Sequence, residues 1–336
     1  MRDDFTWVDG ERLIRFGAGA LAEAPGLLAE RGFVDYALVT TARAEAAAPE
    51  LVEGAGIVLH VPPGPVPGAA AAVRDGVEGR QLVALGGGRV IDSAKAIAGA
   101  DELVCAALPT TLSGAELTRI HRMPAGVERF TLVRPALVIG DPSLMASAPM
   151  PGLAASAMNA LGHAVEALYH RFANPVTDAA ALEAAAQIAR GLGSDEPDRP
   201  ALALGALLAG YALGSTGLAV HHIVSQSIVR IAGTSHAETN AVILPHALEL
   251  MAGRAPDALG RLSVALGAEL PDPQRAAAQV AVLSARAEVT TLVDLGVEWP
   301  QLEEVVDAVL ARPELRNMPE PPGRRELSEL LERAFE

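Results

Sequence analysis

The chain has 336 residues, 50% of them hydrophobic, with a net charge of −15 and only 3% aromatic residues. That length buries a large core and fits two domains, while the negative charge and the shortage of stacking rings disfavour nucleic acid as a partner. No run of roughly 18 uncharged apolar residues occurs, the start Met1-Arg2-Asp3-Asp4 is polar, and Cys105 is the single cysteine. A cytoplasmic protein with no membrane span, no leader and no internal disulfide is expected.

In chain order, residues 13–16 read as a short apolar strand and 21–31 as a helix. Residues 36–40 form a second strand, an alanine-rich helix follows over 43–53, and 56–61 is a third strand closed by Pro62-Pro63-Gly64-Pro65. A helix over 69–77 leads to a strand at 81–85, and strands at 104–108 and 136–139 complete the series. This alternation predicts right-handed βαβ units in a mostly parallel sheet. Ligands of such sheets sit beyond the carboxyl ends of the strands, where Gly86, Gly87, Gly88 and the segment 109–116 fall.

Near Asp141-Pro142 the pattern changes. From Met150-Pro151 onward only long Ala/Leu-rich periodic segments appear, over 151–172, 175–192, 199–213, 217–232, 236–251, 255–267, 273–295, 299–311 and 324–335. The expected organisation is an α/β domain over 1–149 and an all-helical domain over 150–336, with the cleft between them as the default site.

The stretch Leu82-Val83-Ala84-Leu85-Gly86-Gly87-Gly88-Arg89-Val90-Ile91-Asp92-Ser93-Ala94-Lys95 stands out. A strand, a glycine turn and a helix N-terminus aim free backbone N–H groups at one point, which makes an anion site. The spacing is not GxGxxG, so the usual dinucleotide fingerprint is absent. Lys95 is the only lysine, the other 25 basic residues being arginine. One retained ammonium marks a place where a planar guanidinium does not serve.

In the helical half, Asn159, His163 and Glu166 share one helix face, as do His222 and Gln226, and His236 opens a later helix. As metal ligands, Asn159, His163, His222 and His236 form a poor set: three neutral imidazoles and an amide, with no carboxylate to offset an ion's charge.

With these motifs in place, the sequence resembles the iron-containing alcohol dehydrogenase superfamily, and within it the maleylacetate reductase branch. The resemblance spans nearly the whole chain. It rests on Gly86-Gly87-Gly88 with Asp92 and Lys95, on Pro109-Thr110-Thr111 with Ser113-Gly114-Ala115-Glu116-Leu117-Thr118, on Met158-Asn159-Ala160-Leu161-Gly162-His163-Ala164-Val165-Glu166-Ala167-Leu168-Tyr169, and on His236-Ala237-Glu238-Thr239 with Leu244-Pro245-His246.

The resemblance implies a Rossmann-like N-terminal domain, a helical C-terminal domain of the dehydroquinate synthase-like type, and NADH or NADPH as cofactor. It implies that Gly86, Gly87, Gly88, Thr110, Thr111 and Ser113 hold the cofactor phosphates, with Asp92 and Arg89 beside them and Lys95 near the nicotinamide ribose. Thr40, where an acidic residue would repel a 2′-phosphate, leaves NADPH acceptable. His163, His222, His236 and Lys95 are the implied catalytic residues, and Asn159 and Gln226 join the histidines in binding a small oxo-acid. Metal-dependent relatives use an aspartate where Asn159 stands, so no metal is expected. The expected assembly is a homodimer.

Three departures from the family pattern point the other way. Arg89 replaces a serine or threonine, and either neutralises a pyrophosphate or fills its place. Gln226 replaces a histidine, and the segment 119–135 is short. They motivate an alternative, a non-redox lyase, dehydratase or cyclase of a biosynthetic pathway on the same fold.

Overall fold

The computed structural model describes residues 4–336 and divides into two compact units, Met1–Ser147 and Ala148–Glu336.

The first unit is built on seven strands, β1 (Phe5–Asp9), β2 (Arg12–Phe16), β3 (Tyr36–Thr40), β4 (Ala55–His60), β5 (Leu82–Gly86), β6 (Cys105–Pro109) and β7 (Leu137–Gly140). Their order in the sheet is β1-β2-β7-β6-β5-β3-β4. Only the β1–β2 pair is antiparallel; the remaining pairs run parallel. Helices α1 (Ala20–Glu30), α2 (Ala42–Glu45), α3 (Pro49–Glu53), α4 (Val66–Arg74) and α5 (Gly88–Asp101) lie between them, and α6 (Pro142–Met145) follows β7. Strands β3, β5, β6 and β7 are buried along their whole length, as expected of parallel strands covered on both faces. Alternate residues serve opposite cores. Ala37, Val39, Leu82 and Ala84 pack with Ile91 and Ala94 of α5 on one face, while Leu38, Val83 and Leu85 pack with Ala24 and Leu28 of α1 on the other.

The departures from expectation have local causes. Strand β1 was not foreseen because its residues are only half-buried or exposed; it pairs with β2 through a two-residue turn in which Gly10 has φ 61°. The helix expected over 43–53 breaks into α2 and α3, since Pro49 forces Ala48 out of helical geometry (φ −146°). Helix α4 begins earlier than expected, with a proline in its first turn, and ends in a 3₁₀ turn, Asp75–Val77.

The second unit holds α7 (Met150–Tyr169), α8 (Pro175–Leu192), α9 (Arg199–Thr216), α10 (Val220–Ala232), α11 (His236–Ala252), α12 (Pro256–Ala265), α13 (Pro273–Ser284), α14 (Gln301–Leu310) and α15 (Arg324–Phe335). A 3₁₀ turn, Pro313–Asn317, follows α14. Every residue of α7 from 157 onward is buried, which marks it as the central helix. Gly217, at φ 122°, ends α9 and leaves a break before α10. The helix expected over 273–295 stops at Ser284, with Glu288 in the left-handed region beyond it. Among the described residues no single helix is long and apolar enough to cross a membrane.

Candidate active site

In the first unit the turn after β5 feeds directly into α5. Close approach favours glycine here: a Cβ on Gly86 would collide with Val90 at 2.7 Å, and Cβ atoms on Gly87 and Gly88 would crowd Thr111 at 3.0 Å and Ser113 at 3.1 Å. The structure therefore brings Gly86, Gly87, Gly88, Thr111 and Ser113 together, with Thr110 tied to Gly86 O through its own N–H at 3.0 Å. Helix α5 has no side-chain N-cap and no acidic residue in its first turn. The amides of Val90 and Ile91 turn back to Gly87 O, leaving those of Gly88 and Arg89 without a hydrogen bond among the described residues. The exposed Arg89 side chain opposes the positive helix end, a cost of about 0.3–1 kcal/mol. A bound polyphosphate removes that conflict, and the arrangement fits the pyrophosphate of a dinucleotide.

The segment 110–121 has no regular structure, yet much of it is buried, so its carbonyls need donors. Two buried cations provide them. Lys95 Nζ donates to Ala115 O at 2.8 Å and Ile120 O at 2.9 Å and pairs with Asp92 Oδ1 at 2.8 Å. Arg12 Nη1 donates to Leu117 O at 3.2 Å. Two carbonyls accept from the ammonium and a carboxylate pairs with its charge, surroundings that suit a compact lysine head.

The catalytic and cofactor assignments of Lys95 are corrected by this geometry, because its ammonium is directed at two backbone carbonyls and Asp92 inside its own unit and serves the buried segment rather than a ligand. Asp92 likewise turns one oxygen inward to Lys95. Thr40 is corrected too: it has no exposed surface, and its Oγ1 donates to Leu85 O at 2.9 Å within the sheet.

Glu116, in the same segment, is fully buried with neither carboxyl oxygen hydrogen-bonded among the described residues. Loss of water raises its pKa to about 7, against the pull of Lys95 and Arg12.

In the second unit α7 and α10 carry the polar centre. Glu166, with no exposed surface, accepts from the His222 backbone N–H at 3.0 Å and from its Nδ1 at 2.8 Å. His222 Nε2 lies 3.4 Å from Asn159 Oδ1. The His163 ring stacks on His222 at 4.6 Å, and His221 meets His222 edge-on at 4.6 Å. Gly162 makes room, since a Cβ there would lie 2.5 Å from His221 Nε2.

Burial, and then the neighbouring His222, hold His163 and His221 well below the usual histidine pKa. His236, at the start of α11, is exposed as a residue. Its pKa is lowered as well, first by the dense surroundings that displace water and then by His222. Gln226, one turn along α10 from His222, accepts from Arg312 Nη2 at 3.3 Å. Asn159, His163, His222, His236 and Gln226 thus belong to one region of this unit.

Sequence reasoning passed over His221, although the His221-His222 doublet marked it. It also passed over Arg312 and Arg12, which no spacing announced. The donor set does not suit a divalent ion. Its one carboxylate, Glu166, is engaged by the His222 backbone and Nδ1, the His163 and His222 planes lie within 17° of parallel rather than converging, and no group of three metal-binding side chains occurs among the described residues.

Comparison with known proteins follows the same division. Residues 153–335 match the Fe-containing alcohol dehydrogenase family, C-terminal, and residues 15–149 match iron-containing alcohol dehydrogenase. The chain belongs to the iron-containing alcohol dehydrogenase family. Its relatives include maleylacetate reductase 1 of Rhodococcus opacus, 38% identical over 84% of this chain and 80% of that protein. Maleylacetate reductase of Pseudomonas knackmussii is 34% identical over 88% of each. The crystal structure of maleylacetate reductase from Rhizobium sp. strain MTP-10005 superposes with a TM-score of 0.85 at 27% identity, over 100% of this chain and 99% of that one. Within the family this chain lies on the maleylacetate reductase branch and is an NAD(P)-dependent oxidoreductase. The expected α/β-plus-helical fold is borne out, and the non-redox alternative gains no support from these relatives.

Two outcomes follow from the buried groups. Lys95→Arg forces a larger planar group into a filled site and lowers unfolding free energy by about 1–3 kcal/mol, measured by urea denaturation; unchanged stability would show that the ammonium is not required. For pH, Glu116 has a folded pKa near 7 above its ordinary 4.5, so its penalty is absent below about 4.5 and complete above about 7. Glu116→Gln is therefore more stable than wild type at pH 8 and equal to it near pH 4.5. His163 and His221 act oppositely: kept neutral when folded, they favour unfolding as pH falls below 6.5, and thermal denaturation of the Glu116→Gln variant reads that loss directly.

Proposed function

We propose that the protein reduces a small oxo-acid of the maleylacetate class, at its carbonyl or a conjugated double bond, with NADH or NADPH and without a metal ion. The observation that carries this reading is the Glu166–His222 contact. Of the clustered imidazoles, His222 alone has a carboxylate on its ring, at 2.8 Å. It is the one ring of the cluster with an anion beside it, while burial holds His163 and His221 well below the usual histidine pKa. His222 is thus the group suited to supply the proton that balances hydride delivery.

Glu166 holds the His222 ring by Nδ1, which leaves Nε2, beside Asn159, as the atom that releases the proton. The nicotinamide cofactor, when bound, supplies the hydride. Gly88 N, Arg89 and the side chains of Thr111 and Ser113 bind its phosphates. Asn159 and His163 orient the substrate oxygen. The same reading includes a cytoplasmic homodimer acting on a small molecule, away from membranes and nucleic acid; the charge of −15 supports the last point.

Titration of the protein with NADH and NADPH, followed by fluorescence, tests the cofactor half. Arg89→Ser weakens binding by about 1.5–3 kcal/mol, the scale of hydrogen bonds to charged groups; tighter binding in the variant would mean that Arg89 fills the phosphate site instead. His222→Gln lowers turnover by about 10²–10⁴ with cofactor affinity retained. Turnover that persists after exhaustive chelation, with substoichiometric iron and zinc by elemental analysis, is the expected metal result, and one equivalent of metal with activity lost on its removal would contradict it.

A further inference from the structure

Glu116 is a buried carboxyl beside the glycine turn that the proposed reaction does not use. Its neighbour Ala115 ties it to that turn. The Ala115 methyl lies 3.9 Å from where a Cβ on Gly88 would stand, and Ala115 O accepts from Lys95 Nζ at 2.8 Å. This stretch of backbone therefore packs on the start of α5, is held by Lys95 and carries Glu116. A little upstream, Ser113 packs on Gly88 as well.

Glu116 has no exposed surface, and neither of its oxygens forms a hydrogen bond among the described residues. Two cations favour its charge without pairing with it, Lys95 from α5 and Arg12 from β2, as does its own backbone amide; Asp92 of α5 opposes it. Both cations are engaged elsewhere, Lys95 with Asp92 at 2.8 Å and Arg12 with Asp9. His121 and Cys105, which also neighbour Lys95, are kept uncharged by burial, with pKa values of about 4 and about 12. Loss of water is the largest influence on Glu116 and brings its pKa to about 7, so both of its forms are accessible near neutral pH.

The two forms place different demands on Lys95. Beside a neutral acid, the ammonium stays on the Ala115 and Ile120 carbonyls. A carboxylate here is a buried charge without a partner, and Lys95 acts on it more strongly than Arg12 does. It then competes with those carbonyls for the same donors. It also repels an anion held at Gly88 and Ser113. Both effects favour the neutral form once phosphate is bound.

We propose that Glu116 is a positioning residue of the phosphate site, acting through Lys95, and that it takes up a proton when the nicotinamide cofactor binds. The inference rests on the cofactor reading and adds a coupling between binding and pH. The sign is fixed by the neutral form being the one that binds. Affinity is highest below about pH 7, falls as the free protein's carboxyl ionises, and levels off once the carboxyl of the complex ionises too.

The experiment is calorimetric titration of wild type and Glu116→Gln with NADH, a phosphate diester with no group that titrates near neutral pH. Buffers of different ionisation enthalpy count the protons taken up, and melting temperatures confirm that both proteins are folded. Wild type takes up about half a proton near pH 7.5 and loses about five- to tenfold in affinity between about pH 6 and about pH 8.5. Glu116→Gln, shaped like the neutral acid, keeps the low-pH affinity over that range and takes up correspondingly less. The infrared band of a neutral carboxyl grows when NADH binds wild type and does not grow in the variant.

Equal proton uptake and parallel pH profiles in the two proteins would show that Glu116 is only a structural residue, and would overturn the proposal while leaving the cofactor reading in place. A wild-type affinity that does not change with pH would do the same without any variant. Absence of NADH binding at every pH would remove the cofactor reading and this proposal together.

Discussion

A carboxylate with no exposed surface has to be met by donors, and Glu166 is met twice by the same residue, at the backbone and the ring of His222. The rest of the helical unit is arranged so that this is possible. Helix α7 is buried all round, which places Glu166 and Asn159 away from water. Gly162 removes the side chain that would otherwise collide with His221, letting the first turn of α10 come close enough for the contact. With one ring fixed, the stacked His163 and the edge-on His221 have their positions set by contact with it. They also lose their means of carrying charge, since neither has an anion of its own.

The other unit solves a related problem with the opposite sign. A long irregular segment is buried beside the glycine turn, and its carbonyls are answered by Lys95 and Arg12 from inside the sheet domain. Thr111 and Ser113, packed on Gly87 and Gly88, are thereby held on a backbone that neither helix nor strand secures. The structural role of Lys95 explains its identity better than contact with a ligand does. Glu116 is the cost of the arrangement, a carboxyl left without a partner among those charges.

The parallel strands were legible in the sequence because burial on both faces makes them apolar runs, and the glycine turn because close packing on 111–113 tolerates no Cβ. Strand β1 was not legible, since a half-exposed edge strand carries no such run. The break at Pro49 was written in the sequence but overridden by the apolar periodicity around it, whereas the expected break between 213 and 217 is present and falls at Gly217, just before α10. At the candidate site, i, i+4 spacing put Asn159 with His163 and His222 with Gln226, and each pair lies on a single helix, α7 and α10. Spacing does not say which end of a side chain meets the core, and both Thr40 and Lys95 turn inward, to Leu85 O and to the carbonyls of Ala115 and Ile120. Partners distant in sequence, such as Arg312 for Gln226 and Glu166 for His222, become visible only when the helices are assembled.

The central claim is that the Glu166–His222 pair delivers the proton. It is tested most directly by single-turnover reduction of an oxo-acid by folded Glu166→Gln protein with cofactor already bound, in H₂O and in D₂O. The account predicts a rate about 10²-fold below wild type and a solvent isotope effect larger than that of wild type, because proton delivery has become limiting. A variant with the wild-type rate and isotope effect would contradict it.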